Sequence, residues 1–128
     1  VAFTRKYETR GQHIKNNIDE LKKKMEGVEI FNCDYQEILE KYDTPETIHY
    51  LDPPYLNMEK YYEGQKIEPL ELAEVCKKLK GKFILSYSDE PEIRDAFQSF
   101  HIQERPFIYL TGNSSKQKTE LIITNFQI

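Results

Sequence analysis

The chain has 128 residues, enough for one domain with a real core. A charged fraction of 31%, nine Tyr and seven Phe exclude a disordered tail, and no apolar run approaches the about 20 residues that a spanning helix needs. The net charge of −4 is unexpected for a protein that grips phosphate backbones over its whole surface.

In chain order, the pattern predicts strands and helices in alternation, and hence a parallel or mixed α/β sheet. A helix is predicted from about Gln12 to Met25, with Ile14, Ile18, Leu21 and Met25 on one face and Gly27 ending it. Val28 to Asn32 reads as a short strand ending beside Cys33. Asp34-Tyr35-Gln36-Glu37 has capping-box spacing and opens a helix to about Lys41. Thr47 to Leu51 is strand-forming, and Leu56 to Glu68 is a polar loop. Pro69 then begins a helix with Leu72, Val75, Cys76 and Leu79 as its buried stripe, closed by Gly81. Phe83 to Ser86 is an apolar strand and Asp89 to about Phe97 a short helix. Two long strands follow, about 101–110 and 120–126, joined by Gly112-Asn113-Ser114-Ser115 as turn material. Cys33 and Cys76 lack metal or disulfide-framework spacing, and no secretory pattern opens the chain. Buried thiols in a reducing cytoplasm are the expectation.

The chemistry concentrates in Asp52-Pro53-Pro54-Tyr55, directly after the strand-forming run Thr47–Leu51. In an open α/β sheet, ligands bind outside the carboxyl ends of the strands. An exocyclic amine on a nucleic-acid base is a poor nucleophile, because its lone pair is delocalised into the ring. It attacks a methyl donor only when its hydrogens meet acceptors that grow more favourable as positive charge develops. Asp52 offers a carboxylate and Pro53 a backbone carbonyl, and the two prolines hold both in nearly fixed geometry. Tyr55 offers a ring face for a base turned out of its duplex. The same four residues also suit a rigid turn after a strand.

These residues carry a resemblance to a known family. Phe31-Asn32-Cys33-Asp34-Tyr35, His49 to Tyr55, Phe83 to Ser86 and Thr111 to Ile123 fall in the order found in the carboxy-terminal half of Dam-like (D12-type) DNA adenine-N6 methyltransferases. The blocks span roughly residues 28–126, a looser match than any single motif. The Phe3-Thr4-Arg5 stretch resembles the end of that family's inserted recognition region. The resemblance implies a partial Rossmann-like methyltransferase sheet of about five strands, mixed, with a terminal antiparallel hairpin and flanking helices. It implies S-adenosylmethionine as methyl donor and double-stranded DNA as partner. It also implies two parts, residues 1–26 as the tail of the recognition region with a helix and residues 27–128 as the carboxy-terminal catalytic portion.

The family's Phe-x-Gly-x-Gly donor loop has no counterpart here. The five glycines (11, 27, 64, 81 and 112) are scattered, whereas close backbone approach to a ligand normally needs them together. A fragment or one half of a split enzyme is the expectation, with weak donor binding by the chain alone and an amino-terminal half as possible partner. Exposed sheet edges then favour self-association.

The resemblance also distributes roles. Asp52, Pro53, Pro54 and Tyr55 are the catalytic group. Asp34 and Tyr35 resemble the contact with the donor's adenine, with Phe31 packing on the same ring and Asp52 near the donor. Asp34 is equally an ideal helix N-cap, and Phe31 equally a core residue. Tyr55, Tyr61, Tyr62, Asn113, Lys116 and Lys118 are candidates for nucleic-acid contact, with Asn57 and Met58 in the same loop as the two tyrosines. Exposed lysines such as Lys22-Lys23-Lys24 are otherwise a solvated face. None of His13, His49 and His101 has metal or nucleophile spacing, and the reaction needs no metal. Two other readings stand beside this one. One is amino methylation of cytosine N4 or an RNA base, although cytosine-N4 enzymes tend to carry Ser at the position of Asp52. The other is a non-catalytic binding or assembly remnant.

Overall fold

A computed structural model of the chain describes residues 17–56, 67–111 and 114–127. The chain divides into two compact units, Val1–Asn32 and Cys33–Ile128. In the first, helix α1 covers residues 17–24, and Gly27 follows at φ +80°, a conformation that costs glycine little. The apolar face of α1 is exposed: Ile18, Leu21 and Met25 all stay in contact with solvent. Residues 28–32 form no strand, contrary to the expectation from their apolar character, and Val28, Ile30 and Phe31 are exposed. β-propensity reports only how well a side chain suits a pleated, half-buried surface. Cys33 is consequently exposed rather than buried, whereas Cys76 is fully buried, its thiol pushed up to about 12 by desolvation.

The second unit carries a mixed sheet. Helix α2 (Tyr35–Tyr42) leads to strand β1 (Ile48–Leu51), and helix α3 (Pro69–Lys78) crosses to strand β2 (Lys82–Ser88). Helix α4 (Pro91–Ala96) precedes a hairpin of β3 (His101–Thr111) and β4 (Ser114–Thr124). The order is β1-β2-β4-β3, with β1 and β2 parallel and the other pairs antiparallel. Among the described residues four strands thus stand where about five were expected, because residues 28–32 do not contribute one. The hairpin is longer than its sequence suggests. Ser114 and Ser115, which read as turn residues, already pair with Thr111 and Leu110. Pro106 sits in β3, an edge strand, where a missing N–H is tolerated.

Alternation along β2 separates the sheet's faces. Phe83, Leu85 and Tyr87 point to one side and are completely buried with Leu121 and Ile123 of β4. Leu72, Ala73 and Cys76 of α3 and Ile93, Ala96 and Phe97 of α4 complete that core. Each buried Leu, Ile or Phe side chain there contributes about 1.5–3 kcal/mol through burial. Val75 and Leu79 are only partly buried, so the inward stripe of α3 is displaced from the predicted one. Helix α3 ends without a glycine cap, Leu79 being extended at φ −65°. Gly81 has a different task. A Cβ there would stand 2.6 Å from the Thr47 carbonyl oxygen and 2.7 Å from that of Thr44.

Candidate active site

The parallel pair β1 and β2 defines a carboxyl rim, and the connections fix what reaches it. Helix α2 enters β1 through a short turn at the opposite, amino rim, so its first turn lies at the carboxyl rim. Helix α3 also starts there, because it leaves β1 and returns to the start of β2. Gln36 in the first turn of α2 donates to Glu71 Oε1 in the first turn of α3 at 3.3 Å. Asp34 and the Asp52–Tyr55 corner are therefore on one rim.

At that rim, Asp52 follows the last residue of β1 and is exposed. Ser86 Oγ donates to its Oδ1 at 3.2 Å. Among the described residues, Asp52 Oδ2 and the Pro53 carbonyl take no hydrogen bond. Two acceptors one residue apart are thus left open at the rim. Pro54 is held from beneath, its carbonyl accepting from Tyr87 Oη at 3.0 Å. Ser86 and Tyr87 are neighbours on β2 and point to opposite faces, so the strand grips the corner from both sides of the sheet. Burial pushes the Tyr87 hydroxyl above its ordinary value, so it stays a protonated donor.

Tyr55 is part-buried, and its ring stacks on Tyr87 with centroids 5.5 Å apart and planes 24° apart. Its hydroxyl donates to Glu120 Oε1 of β4 at 3.3 Å. One ring face is therefore engaged by Tyr87. Asp34 is the N-cap of α2, its Oδ1 accepting from the Gln36 N–H at 2.8 Å, and Oδ2 has no partner among the described residues. Among the described residues, Glu37 makes no return bond of a full capping box. Tyr35 packs against the core, and its hydroxyl accepts from Gln36 Nε2 at 3.3 Å. Desolvation raises the Tyr35 pKa above its ordinary value. Phe31 is exposed in the amino-terminal unit, and Lys118 is exposed on β4. Asn57, Met58, Tyr61, Tyr62 and Asn113, and the side chain of Lys116, lie outside the described residues.

Sequence reasoning missed Ser86, Tyr87, Tyr50 and Glu120, the groups that hold the corner. The signal available for Ser86 was a hydroxyl interrupting an apolar strand, Phe83-Ile84-Leu85-Ser86. A buried hydroxyl needs a partner. It also missed a second cluster at the amino rim. There Asp43 Oδ1 accepts from Gly81 N at 2.9 Å and from His49 Nε2 at 3.1 Å, and Oδ2 accepts from Lys80 N at 2.8 Å. His49 is nearly buried, and with a carboxylate as partner its Nε2 carries the proton. A cleft of about 280 Å³ between α2 and α3 is lined by Asp43, Leu39, Val75 and Lys80 and does not include Asp52.

No described helix is long and apolar enough to cross a membrane. Comparison with curated proteins gives no match. The model of the D12 class N6 adenine-specific DNA methyltransferase family matches residues 2–109, which include α2, the Asp52–Tyr55 corner, α3, β2 and most of β3. With that match over most of its length, and a mixed sheet that carries the acid-proline corner at its carboxyl rim, the chain belongs to the D12 class of N6-adenine-specific DNA methyltransferases.

Proposed function

We propose that this chain carries the amine-activating half of the reaction that methylates adenine N6 in DNA, with S-adenosylmethionine as donor. The observation that carries the reading is the pair of open acceptors, Asp52 Oδ2 and the Pro53 carbonyl, on a corner anchored by β2. When bound, the donor supplies a methyl group on a cationic sulfur, which the amine takes with loss of one proton. The chain's own part is to engage the two amino hydrogens, one on Asp52 and one on Pro53, so that positive charge on nitrogen is stabilised as it develops. A base reaches this rim only out of the duplex, and Tyr55 is assigned to its contact. Tyr61, Tyr62, Asn113, Lys116 and Lys118 are assigned to DNA. Asp34 Oδ2, Tyr35 and Phe31 are assigned to the adenosine end of the donor, and Pro54 serves as the rigid second half of the corner. These donor residues fit an adenine amino group and ring but supply nothing for the rest of the donor, so a glycine-rich segment from an amino-terminal half completes that site. Residues 1–26 are assigned to the recognition region and 27–128 to catalysis, in a cytoplasmic enzyme.

The test is methyl transfer from labelled S-adenosylmethionine to duplex DNA, by the chain alone and with a D12-class amino-terminal half added. Weak or no transfer alone, and labelled N6-methyladenine with the added half, is expected. Labelled N4-methylcytosine, or label in RNA only, overturns the substrate. No product under either condition identifies a non-catalytic binding module.

The outer edge of β1 adds a further expectation. Among the described residues β1 pairs only with β2, and its Ile48 and Tyr50 are 66% and 67% exposed. A parallel strand is normally covered on both faces, and an open edge recruits another strand. Light scattering of the purified chain should show a dimer growing with concentration, and adding the amino-terminal half should disperse it. A monomer throughout the range rules this out.

A further inference from the structure

We infer that Ser86 is a positioning residue for Asp52, fed by Tyr50 in a directed chain of hydroxyls. The inference rests on the proposed role of Asp52 as an acceptor for the substrate amine. Tyr50 Oη lies 3.3 Å from Ser86 Oγ, and Ser86 Oγ lies 3.2 Å from Asp52 Oδ1. The direction of the chain follows from counting protons. An ionised carboxylate only accepts, so the single hydroxyl hydrogen of Ser86 goes to Asp52, and Tyr50 must donate to Ser86. Hydroxyls arranged this way polarise one another along the chain.

The strand register explains why these three side chains meet. Tyr50 pairs with Ile84, so Tyr50, Ile84 and Ser86 lie on one face of the sheet, and Asp52, two residues after Tyr50, continues that row beyond the rim. Ser86 is only 6% exposed, flanked in its strand by Phe83, Ile84, Leu85 and Tyr87. A buried hydroxyl there costs free energy unless bonded, and its two bonds join Tyr50 of β1 to Asp52 at the corner. By taking Oδ1, Ser86 holds the Asp52 side chain in one rotamer and leaves Oδ2 as the oxygen available to a substrate. Both separations are long for hydroxyl bonds, as is common in a free protein whose catalytic contacts tighten on binding. The effect of Ser86 is therefore on aim, and it is smaller than that of the carboxylate it aims.

Two readouts keep this assignment separate from the proposed function. Three-bond couplings measured by NMR on the isolated chain report the χ1 rotamer of Asp52 with no substrate present. One rotamer is expected in the native chain, averaging among rotamers in Ser86→Ala, and restoration in Ser86→Thr, which keeps the hydroxyl. Tyr50 is exposed, so Tyr50→Phe leaves the core untouched and should give partial averaging even if Ser86→Ala does not fold. A single unchanged rotamer in the folded variants overturns the inference whatever the chain catalyses. In the methyl-transfer assay with the added half, Ser86→Ala should lower kcat about tenfold with KM for DNA unchanged. Native kcat in Ser86→Ala beside an inactive Asp52→Ala overturns positioning but keeps the reaction. Full activity in Asp52→Ala overturns the reaction itself. If the native chain transfers nothing even with the added half, the proposed function fails and the couplings alone decide for or against Ser86.

Discussion

Replacing Asp52 by alanine is expected to lower methyl transfer about a thousandfold, measured as initial rate at saturating donor and DNA, while the melting temperature barely changes. The two halves of this expectation come from one geometry. Asp52 is exposed and, among the described residues, makes a single bond, from Ser86, so its removal opens no cavity in the core. Its other oxygen, by contrast, meets no donor among the described residues, which suits the proposed role as an acceptor for the substrate amine. Asparagine at the same position keeps one acceptor oxygen but removes the charge that opposes the developing cation, so Asp52→Asn should lie between alanine and the native enzyme. A stability loss equal to that of a core substitution, with activity retained, would assign Asp52 to the fold instead. Tyr55 makes a useful contrast. It stacks on Tyr87 and bonds Glu120, so Tyr55→Ala removes packing as well as the proposed base contact, and its activity loss alone would carry less meaning.

The corner was legible because its chemistry is local. Four consecutive residues after a strand-forming run fix both the type of groups and, through the two prolines, their direction. The strand Phe83–Ser86 was legible too, since a continuous apolar run has few other uses, and its register with β1 puts Leu85 beside Leu51 at the rim. What holds the corner was not legible. Ser86 is 34 residues from Asp52 and Tyr87 is 33 from Pro54, so neither contact leaves a local pattern. Residues 28–32 misled in the opposite direction: their composition suits a strand, but strand formation requires a neighbour to pair with. Ser114 and Ser115 misled as turn residues because cross-strand pairing with Leu110 and Thr111 outweighs a local preference.

The second large effect is expected at the amino rim, on stability. Gly81→Ala should cost about 3 kcal/mol in chemical denaturation, near the upper end for overpacked sites. The reason is not backbone freedom but space: the atoms that a Cβ would meet are the carbonyl oxygens of Thr44 and Thr47, and backbone cannot swing aside as a side-chain tip can. Those carbonyls are themselves engaged, since Thr44 O accepts from Thr47 N at 3.0 Å and Thr47 O accepts from Lys82 N at 2.9 Å. The bond to Lys82 joins the starts of the two parallel strands, so moving it disturbs the register that brings Ser86 to Asp52. Asp43 binds the same turn through the N–H groups of Lys80 and Gly81 and through His49. Asp43→Asn places an amide donor against at least one of those donors and should cost a comparable amount. Acid should do part of this in the native chain. The Lys80 N–H, followed by Gly81 and His49, holds the Asp43 carboxyl below its ordinary value. A depressed folded value contributes stability that is present above about pH 4 and is lost as pH falls through the folded value. Denaturation midpoints measured from pH 7 down to pH 3 should therefore fall more steeply for the native chain than for Asp43→Asn, which has already lost the titrating group. Arg94 acts on Asp89 in the same direction, so some acid sensitivity should persist in the variant. Parallel slopes for the two proteins would remove Asp43 from the acid response. A Gly81→Ala chain as stable as the native one would mean that the Thr44–Thr47 turn yields without disturbing the bond to Lys82.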